Sequence, residues 1–375
     1  MRHIQPDLTE ELLEHFKDPN KVGSSEPFLV NTFRELVEHT AKLSFRNKDY
    51  LLFYRGQNTD YRNKAGNSSF YPSIYRGDYL PIRELTNRYD ILEGASKALV
   101  QLFEKEKIDG YKELKRRRAV QWSILQHYEV CATPYLDFTH SLRVACSFAT
   151  MDNENEFAYI FVFGLPYFTN RITINSEHDI INIRLLSICP PTALRPYFQE
   201  GYLVGTDDIT TNYESKTELD FNNRLIAKFK IPNNNGFWGD GFDKIPKKSL
   251  YPDNDPIFDL CNQIKEIAEK ELKTGDLGEF LKLWAELEEF LVTKAGKESK
   301  RFLGVREAIR QLNEEGIIDK ELAYQIDRLR NFRNTLVHSP KKISSGQIQD
   351  YLYSLENILK EIKPVGNTRY KKLPG

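Results

Sequence analysis

The sequence predicts two segments of different class: an α+β domain over residues 25–255, with a mixed sheet and helices, and an all-α bundle of four or five helices over residues 256–363. Three observations carry this. Before about residue 250, short runs of β-branched and aromatic residues alternate with amphipathic stretches, and most of the Tyr, Phe, Pro and Asn lie there. After Asp255 only the three- and four-residue spacing of helices remains. Between them Tyr251–Pro256 (YPDNDP) sets two prolines around polar turn formers, a composition that interrupts any regular element. Residues 1–24 read as a helical extension and residues 364–375 as a flexible tail.

In chain order, helices are expected over Pro6–Phe16, Asn31–Ser44, about Ile82–Lys107, Ala119–Tyr128 and Ser141–Ala149. Strands are expected over Tyr50–Tyr54, Phe157–Phe163, Ile172–Ile174, Ile180–Leu186 and Leu225–Ile231. In the C-terminal segment, Leu260, Ile264 and Ile267 mark one helix, and Leu277, Leu281, Trp284, Leu287 and Leu291 a second. Leu303, Val305, Ile309 and Leu312 mark a third; Leu322, Ile326, Leu329, Leu336 and Val337 a fourth; Ile348, Leu352, Leu355, Leu359 and Ile362 a fifth. Each set draws an apolar stripe along one face, as a bundle requires. No internal repeat or low-complexity tract interrupts the chain.

Composition narrows the function classes. A chain of 375 residues with 40% hydrophobic and 12% aromatic content can bury real cores and is not a disordered polyelectrolyte. The 53 Lys and Arg against 54 Asp and Glu exclude a globally basic nucleic-acid coat, although not a local basic groove. No run approaches the roughly 20 apolar residues that span a bilayer, and the N-terminus lacks the apolar stretch of a signal peptide. Cys131, Cys146, Cys189 and Cys261 form no CxxC pair, so neither a zinc site nor a disulfide framework is expected. These features predict a cytoplasmic protein without a membrane partner.

Three polar clusters stand out in the N-terminal segment. Tyr54-Arg55-Gly56-Gln57 follows a strand; an Arg there, with a glycine that admits close approach, suits a phosphate, and equally an ordinary ion pair before a turn. Gln126-His127-Tyr128 precedes Thr133 and Leu136-Asp137-Phe138-Thr139-His140-Ser141, where Asp137, Thr139 or Ser141 can cap the next helix. Neither His127 nor His140 has a metal-ligand neighbour at a useful helical spacing, so no metal is expected. Arg195-Pro196-Tyr197-Phe198-Gln199-Glu200-Gly201 reads as a helix end or turn.

In this order the clusters resemble the FRG domain, a bacterial module named for a Phe-Arg-Gly motif, over roughly residues 25–255. Tyr54-Arg55-Gly56 carries Tyr for the usual Phe, and Pro72-Ser73-Ile74-Tyr75-Arg76 matches the Pro-x-x-x-Arg segment. Gln126-His127-Tyr128, Thr133 and Leu136-Asp137-Phe138-Thr139-x-Ser141 form the most specific block, and Arg195, Gln199 and Gly201 close it. The glycine usual after His-Tyr is Glu129 here. FRG domains are likened to the ADP-ribosyltransferase fold. The resemblance implies that Arg55, Gly56, Gln57, His127 and Tyr128 contact NAD or another nucleotide. It also implies Thr139 and Ser141 as the supporting element and Gln199 or Glu200 as the late polar group. A glutamine cannot serve as a general base, so Gln199 implies binding or mono-ADP-ribosyl transfer, with a ligand sensor as the other reading.

In the C-terminal segment, Arg330-Asn331-Phe332-Arg333-Asn334-Thr335-Leu336-Val337-His338 ends a predicted helix at Ser339-Pro340. Asn334 and His338 share a face, whereas Arg333 lies about 140° from His338 around an ideal helix. One helix cannot easily bring both to one phosphate, but two copies across a two-fold axis can line a cleft. His can shuttle protons from a ribose 2′-hydroxyl while Arg stabilises phosphoryl charge, without metal. This stretch resembles the HEPN superfamily over about residues 257–363, whose signature is Arg, four to six residues, then His. The resemblance implies Arg333, Asn334 and His338 as a ribonuclease site in a homodimer formed through the helical domain. Non-catalytic members imply the alternative of a dimerisation module. The combined expectation is a toxin or anti-phage effector acting on RNA and coupled to the FRG domain. The alternatives are an NAD-dependent ADP-ribosyltransferase-like enzyme or a non-enzymatic nucleotide sensor.

Overall fold

The computed structural model describes residues 1–77, 80, 82–206, 209–211, 213, 215–296, 304–338 and 345–362, without the side chains of 82–84, 267–275, 296, 337–338 and 345–346. The chain divides into two compact units, Met1–Lys265 and Glu266–Gly375.

The first unit is built on one eight-stranded sheet. Its strands are β1 (Phe28–Leu29), β2 (Leu51–Gln57), β3 (Tyr135–Thr139), β4 (Phe157–Leu165), β5 (Ile172–Asn175), β6 (Ile180–Arg184), β7 (Gly201–Gly205) and β8 (Leu225–Pro232). They lie in the order β1-β8-β4-β2-β3-β7-β6-β5. All neighbours pair antiparallel except β1 and β8, so the sheet is mixed. Helices α1 (Glu10–Phe16), α2 (Phe33–Arg46), α3 (Ile82–Lys105), α4 (Tyr111–Leu114), α5 (Arg118–His127), α6 (Leu142–Thr150), α7 (Arg195–Gln199) and α8 (Lys247–Leu250) complete it. On β3 alternate residues enter different cores: Leu136 and Phe138 join the cluster around Phe53, Phe161 and Phe163, whereas Tyr135 joins that of Trp122, Leu92 and Leu203. Both faces of the sheet centre are therefore covered.

Two features of this sheet shape the cleft. Between β2 and β3 the ladder holds a single residue pair, Tyr54 with Thr139. Beyond it β2 follows β4 as far as Gln57 while β3 stays with β7, so the two halves of the sheet part. Helix α6 then lies close over β2: a Cβ on Gly56 would stand 1.9 Å from the Ala145 carbonyl oxygen. Only glycine fits there.

The second unit is helical, with α9 (Pro256–Gly296, which begins in the first unit), α10 (Val305–Glu314), α11 (Lys320–His338) and α12 (Ser345–Ile362). The expected first and second helices are one continuous helix. The polar residues between their apolar stripes include no proline, and a helix continues through such a stretch at modest cost. Phe280, Trp284, Leu287, Ile326, Leu329 and Leu355 are among its core. Trp284 is buried, as packing predicts. No described helix is long and apolar enough to cross a membrane.

Candidate functional site

A cleft of about 1130 Å³ opens where β2 and β3 part. Arg55, Gly56 and Gln57 form one wall, and Leu136, Asp137 and Thr139 the facing wall. Gln126, His127 and Glu129 border it from the end of α5, and Gln199 and Gly201 from the junction of α7 and β7. Arg55 is not after the strand but within it, and its guanidinium substitutes for the missing ladder: Nη1 donates to the Asp137 carbonyl oxygen at 2.7 Å. Its Nε is buried and finds no partner. Burial brings the Arg55 pKa down to about 10, against the pull of Asp137 and with the repulsion of Arg76. The group stays charged at neutral pH, and the cleft wall holds a cation with an unused donor.

Asp137 is fixed by a relay. Gln126 Nε2 donates to Asp137 Oδ2 at 2.7 Å, and Thr133 Oγ1 donates to Gln126 Oε1. Burial raises the Asp137 pKa despite Arg55 and this hydrogen bond, and Glu129 adds to the rise. Glu129 occupies the αL position of a Schellman motif that ends α5: its N–H donates to Gln126 C=O at 3.0 Å, and the Val130 N–H to Leu125 C=O at 2.9 Å. With φ of 56° it takes a conformation that costs an L-residue roughly 1–2 kcal/mol and that glycine adopts freely. Glu129 thus holds the left-handed position that glycine adopts freely, and it lines the cleft. Burial and Arg195, opposed by Asp255, lower the His127 pKa to about 3. The imidazole is therefore neutral, and its Nε2 has no partner.

Charge and aromatic surface share this space. Arg55, Arg62, Lys64, Arg76 and Lys216 line it against two carboxylates, Glu129 and Asp137. Tyr61, Tyr71, Phe148 and Tyr251 supply rings. Arg62 is paired with Glu26 at 2.8 Å and Asp60 at 3.1 Å, and Lys216 lies 4.6 Å from the Tyr71 ring centroid.

Of the residues expected at a site, Arg55, Gly56, Gln57, His127, Thr139 and Gln199 meet in this cleft. Thr139 Oγ1 accepts from the Ser141 N–H at 3.0 Å, and Gln199 Nε2 donates to Leu250 C=O at 2.9 Å. Tyr128 and Ser141 are not among its lining. The Tyr128 hydroxyl donates to Asp255 Oδ2 at 2.8 Å, and that carboxylate also takes the N–H groups of Leu194, Arg195 and Ile257. Ser141 caps α6, accepting from the Val144 N–H. Arg195 lies buried among the rings of Tyr128, Tyr251 and Phe258. Asp137, Glu129 and Gln126 belong to the motifs without an expected site role, and the sequence signal for Glu129 is its place where a glycine is usual. In the helical unit, Arg333 Nη1 donates to Asn334 Oδ1 at 3.3 Å and its Nε is unpartnered. His338 ends α11, and its side chain lies outside the described residues. Among the described residues no group of His, Cys, Asp and Glu gathers to hold a metal.

No curated protein and no solved structure matches the chain. Residues 51–157, from the start of β2 to the first residue of β4 and including Arg55, Gln126, His127, Asp137 and Thr139, match the family model of the FRG domain.

Proposed function

We propose that the α+β unit binds a nucleotide, a ligand joining phosphate to an aromatic base, in the cleft between β2 and β3. The observation that carries this reading is Arg55, a half-buried guanidinium whose buried Nε has no partner, at the point where the sheet opens. An anion beside Arg55 and Arg76 offsets the cost of burying the charge, and a planar guanidinium suits phosphate. Tyr71 and Tyr251 provide surfaces for a base, and neutral His127 a hydrogen-bonding edge. NAD fits this description as well as ATP does. Calorimetric titration with NAD, ADP-ribose and ATP tests it: wild type binds at least one, and Arg55→Ala weakens that binding at least tenfold, the loss of one charged hydrogen-bonding partner. Failure of wild type to bind any of the three overturns the reading. If the cleft also transfers ADP-ribose, labelled NAD modifies a protein acceptor and Arg55→Ala abolishes the label.

A second reading concerns the helical unit, in which Arg333, Asn334 and His338 cleave RNA without metal in a homodimer. Its support is the unpartnered Nε of half-buried Arg333, held beside Asn334 on the helix that His338 ends. A toxin or anti-phage role, with the α+β unit restraining or releasing the nuclease, rests on that chemistry. Incubation with RNA in EDTA is expected to leave 2′,3′-cyclic phosphate ends. Cleavage that persists undiminished in His338→Ala, or none by wild type, sinks it.

A further inference from the structure

We infer that Gln57 makes the β2–β3 cleft select ribonucleotides: its Oε1 accepts a hydrogen bond from a ribose hydroxyl of the ligand whose phosphate lies on Arg55. This rests on the nucleotide-binding reading and names the part of the ligand that the neighbouring side chain reads.

Two polar atoms on one strand carry it. Arg55 Nε is a donor and Gln57 Oε1 an acceptor, and both are buried without a partner. The two residues are half-buried and line the cleft. A buried polar atom is costly while its hydrogen bond is unmade, and a ligand that supplies the missing partner recovers that cost on binding. The strand therefore favours a ligand that presents an acceptor to Arg55 and a donor to Gln57.

The β2–β4 ladder fixes how these two side chains stand. Arg55 lies opposite Phe161, Gly56 opposite Ile160 and Gln57 opposite Tyr159, with no shift of register. Successive side chains of a strand point to opposite faces. A Cβ on Gly56 would meet the Ala145 carbonyl of α6, so Gly56 is turned to α6, and Arg55 and Gln57 share the other face. Two residues along a strand, their attachment points stand about 6.6 Å apart.

That spacing follows the order of groups in a nucleotide, where the ribose adjoins the phosphate and the base lies beyond it. The phosphate suits the guanidinium. One sugar ring away the ligand offers its 2′- and 3′-hydroxyls as donors, and Gln57 Oε1 can only accept. The terminal torsion of a glutamine is broad, so the oxygen turns to such a hydroxyl at little cost.

The test titrates full-length protein calorimetrically with ATP, NAD and ADP-ribose, and with the same three molecules lacking their ribose 2′- and 3′-hydroxyls. Wild type is expected to bind the hydroxyl-free form of its ligand at least about tenfold more weakly, the worth of a hydrogen bond to a buried acceptor. Gln57→Leu is expected to weaken binding of the parent ligand by a similar factor and to bind both forms within about threefold of each other. Its Tm is expected to stay at or above that of wild type, since the change removes an unpartnered acceptor. The comparison of ligands in wild type needs no variant. Equal affinity of wild type for both forms, or a preference for the hydroxyls that Gln57→Leu retains, overturns the inference and leaves the binding reading intact. Absence of binding to all three parent ligands overturns both.

Discussion

Two glycines and one lysine show how much single side chains decide in this molecule. Gly56 has no room for a methyl group, because the obstruction is the Ala145 backbone rather than a movable side chain. Gly56→Ala is expected to destabilise the protein by about 3 kcal/mol, the upper range for overpacking. Gly94, exposed on α3 with open space around it, gives the opposite sign. Gly94→Ala is expected to stabilise by about 1 kcal/mol through helix propensity, and urea unfolding of the two variants checks the pair. Lys228 is fully buried in β8, and its ammonium donates to Gly23 C=O at 2.9 Å, Ser68 Oγ at 2.8 Å and Asp60 Oδ2 at 3.1 Å. It thereby ties down the 58–70 segment, several residues of which line the cleft. Lys228→Met is expected to cost about 2–3 kcal/mol, because Gly23 C=O and Asp60 lose the ammonium while Asp60 keeps Arg62 and Ser68. Adding Asp60→Leu is expected to recover part of that loss in a double-mutant cycle.

Secondary-structure elements were legible where their signals are local. Thr9, Thr32 and Ser141 each accept a hydrogen bond from the first turn of α1, α2 and α6, as capping residues before apolar runs should. Ser141→Ala is therefore expected to lower stability by about 1 kcal/mol in urea, the usual worth of such a cap. The elements misjudged are those whose ends depend on partners. β2 runs through Gln57 because β4 pairs with it residue for residue that far, a fact absent from the run Tyr50–Tyr54 itself. β3 and β7 have mixed polar and apolar composition and become strands by pairing with each other. In the helical segment, two apolar stripes suggested two helices, whereas α9 spans both. Periodicity reports which face is buried, and a backbone ends where it is broken.

The stability of the whole protein is tied to pH through its histidines. Burial holds the His127 pKa at about 3, and burial with Arg224 lowers that of His178, whose Nδ1 accepts from the Arg224 guanidinium at 3.0 Å. Both folded values lie below the unfolded value near 6.5, so the unfolded chain binds more protons as pH falls below it. The contribution of these two histidines is complete above about pH 6.5 and is lost on acidification. The His127 contribution changes by up to about 1.4 kcal/mol per pH unit between 6.5 and 3. Urea unfolding at pH 7, 6 and 5 is expected to show this loss, with a shallower slope in His127→Gln.

The class of each segment and the order of the motifs could be read from the amino acids alone, because periodicity acts within one or two turns of chain; of the caps only Ser141 stood among the expected candidates, while α1 and α2 start at Glu10 and Phe33 rather than Pro6 and Asn31. Arg55, His127, Thr139 and Gln199 each had an ordinary structural reading in isolation, and only the order of their motifs, through the resemblance to the FRG domain, marked them as site candidates. Their assembly was not readable. It depends on β2 and β3, some 80 residues apart, pairing at one position and then separating. The same long-range geometry leaves Ser141 in a helix cap and Tyr128 against Asp255, and brings Asp137 and Glu129 to the lining of one cleft. A side chain's surroundings are set by strands distant in sequence, and no local pattern encodes which of them will stay apart.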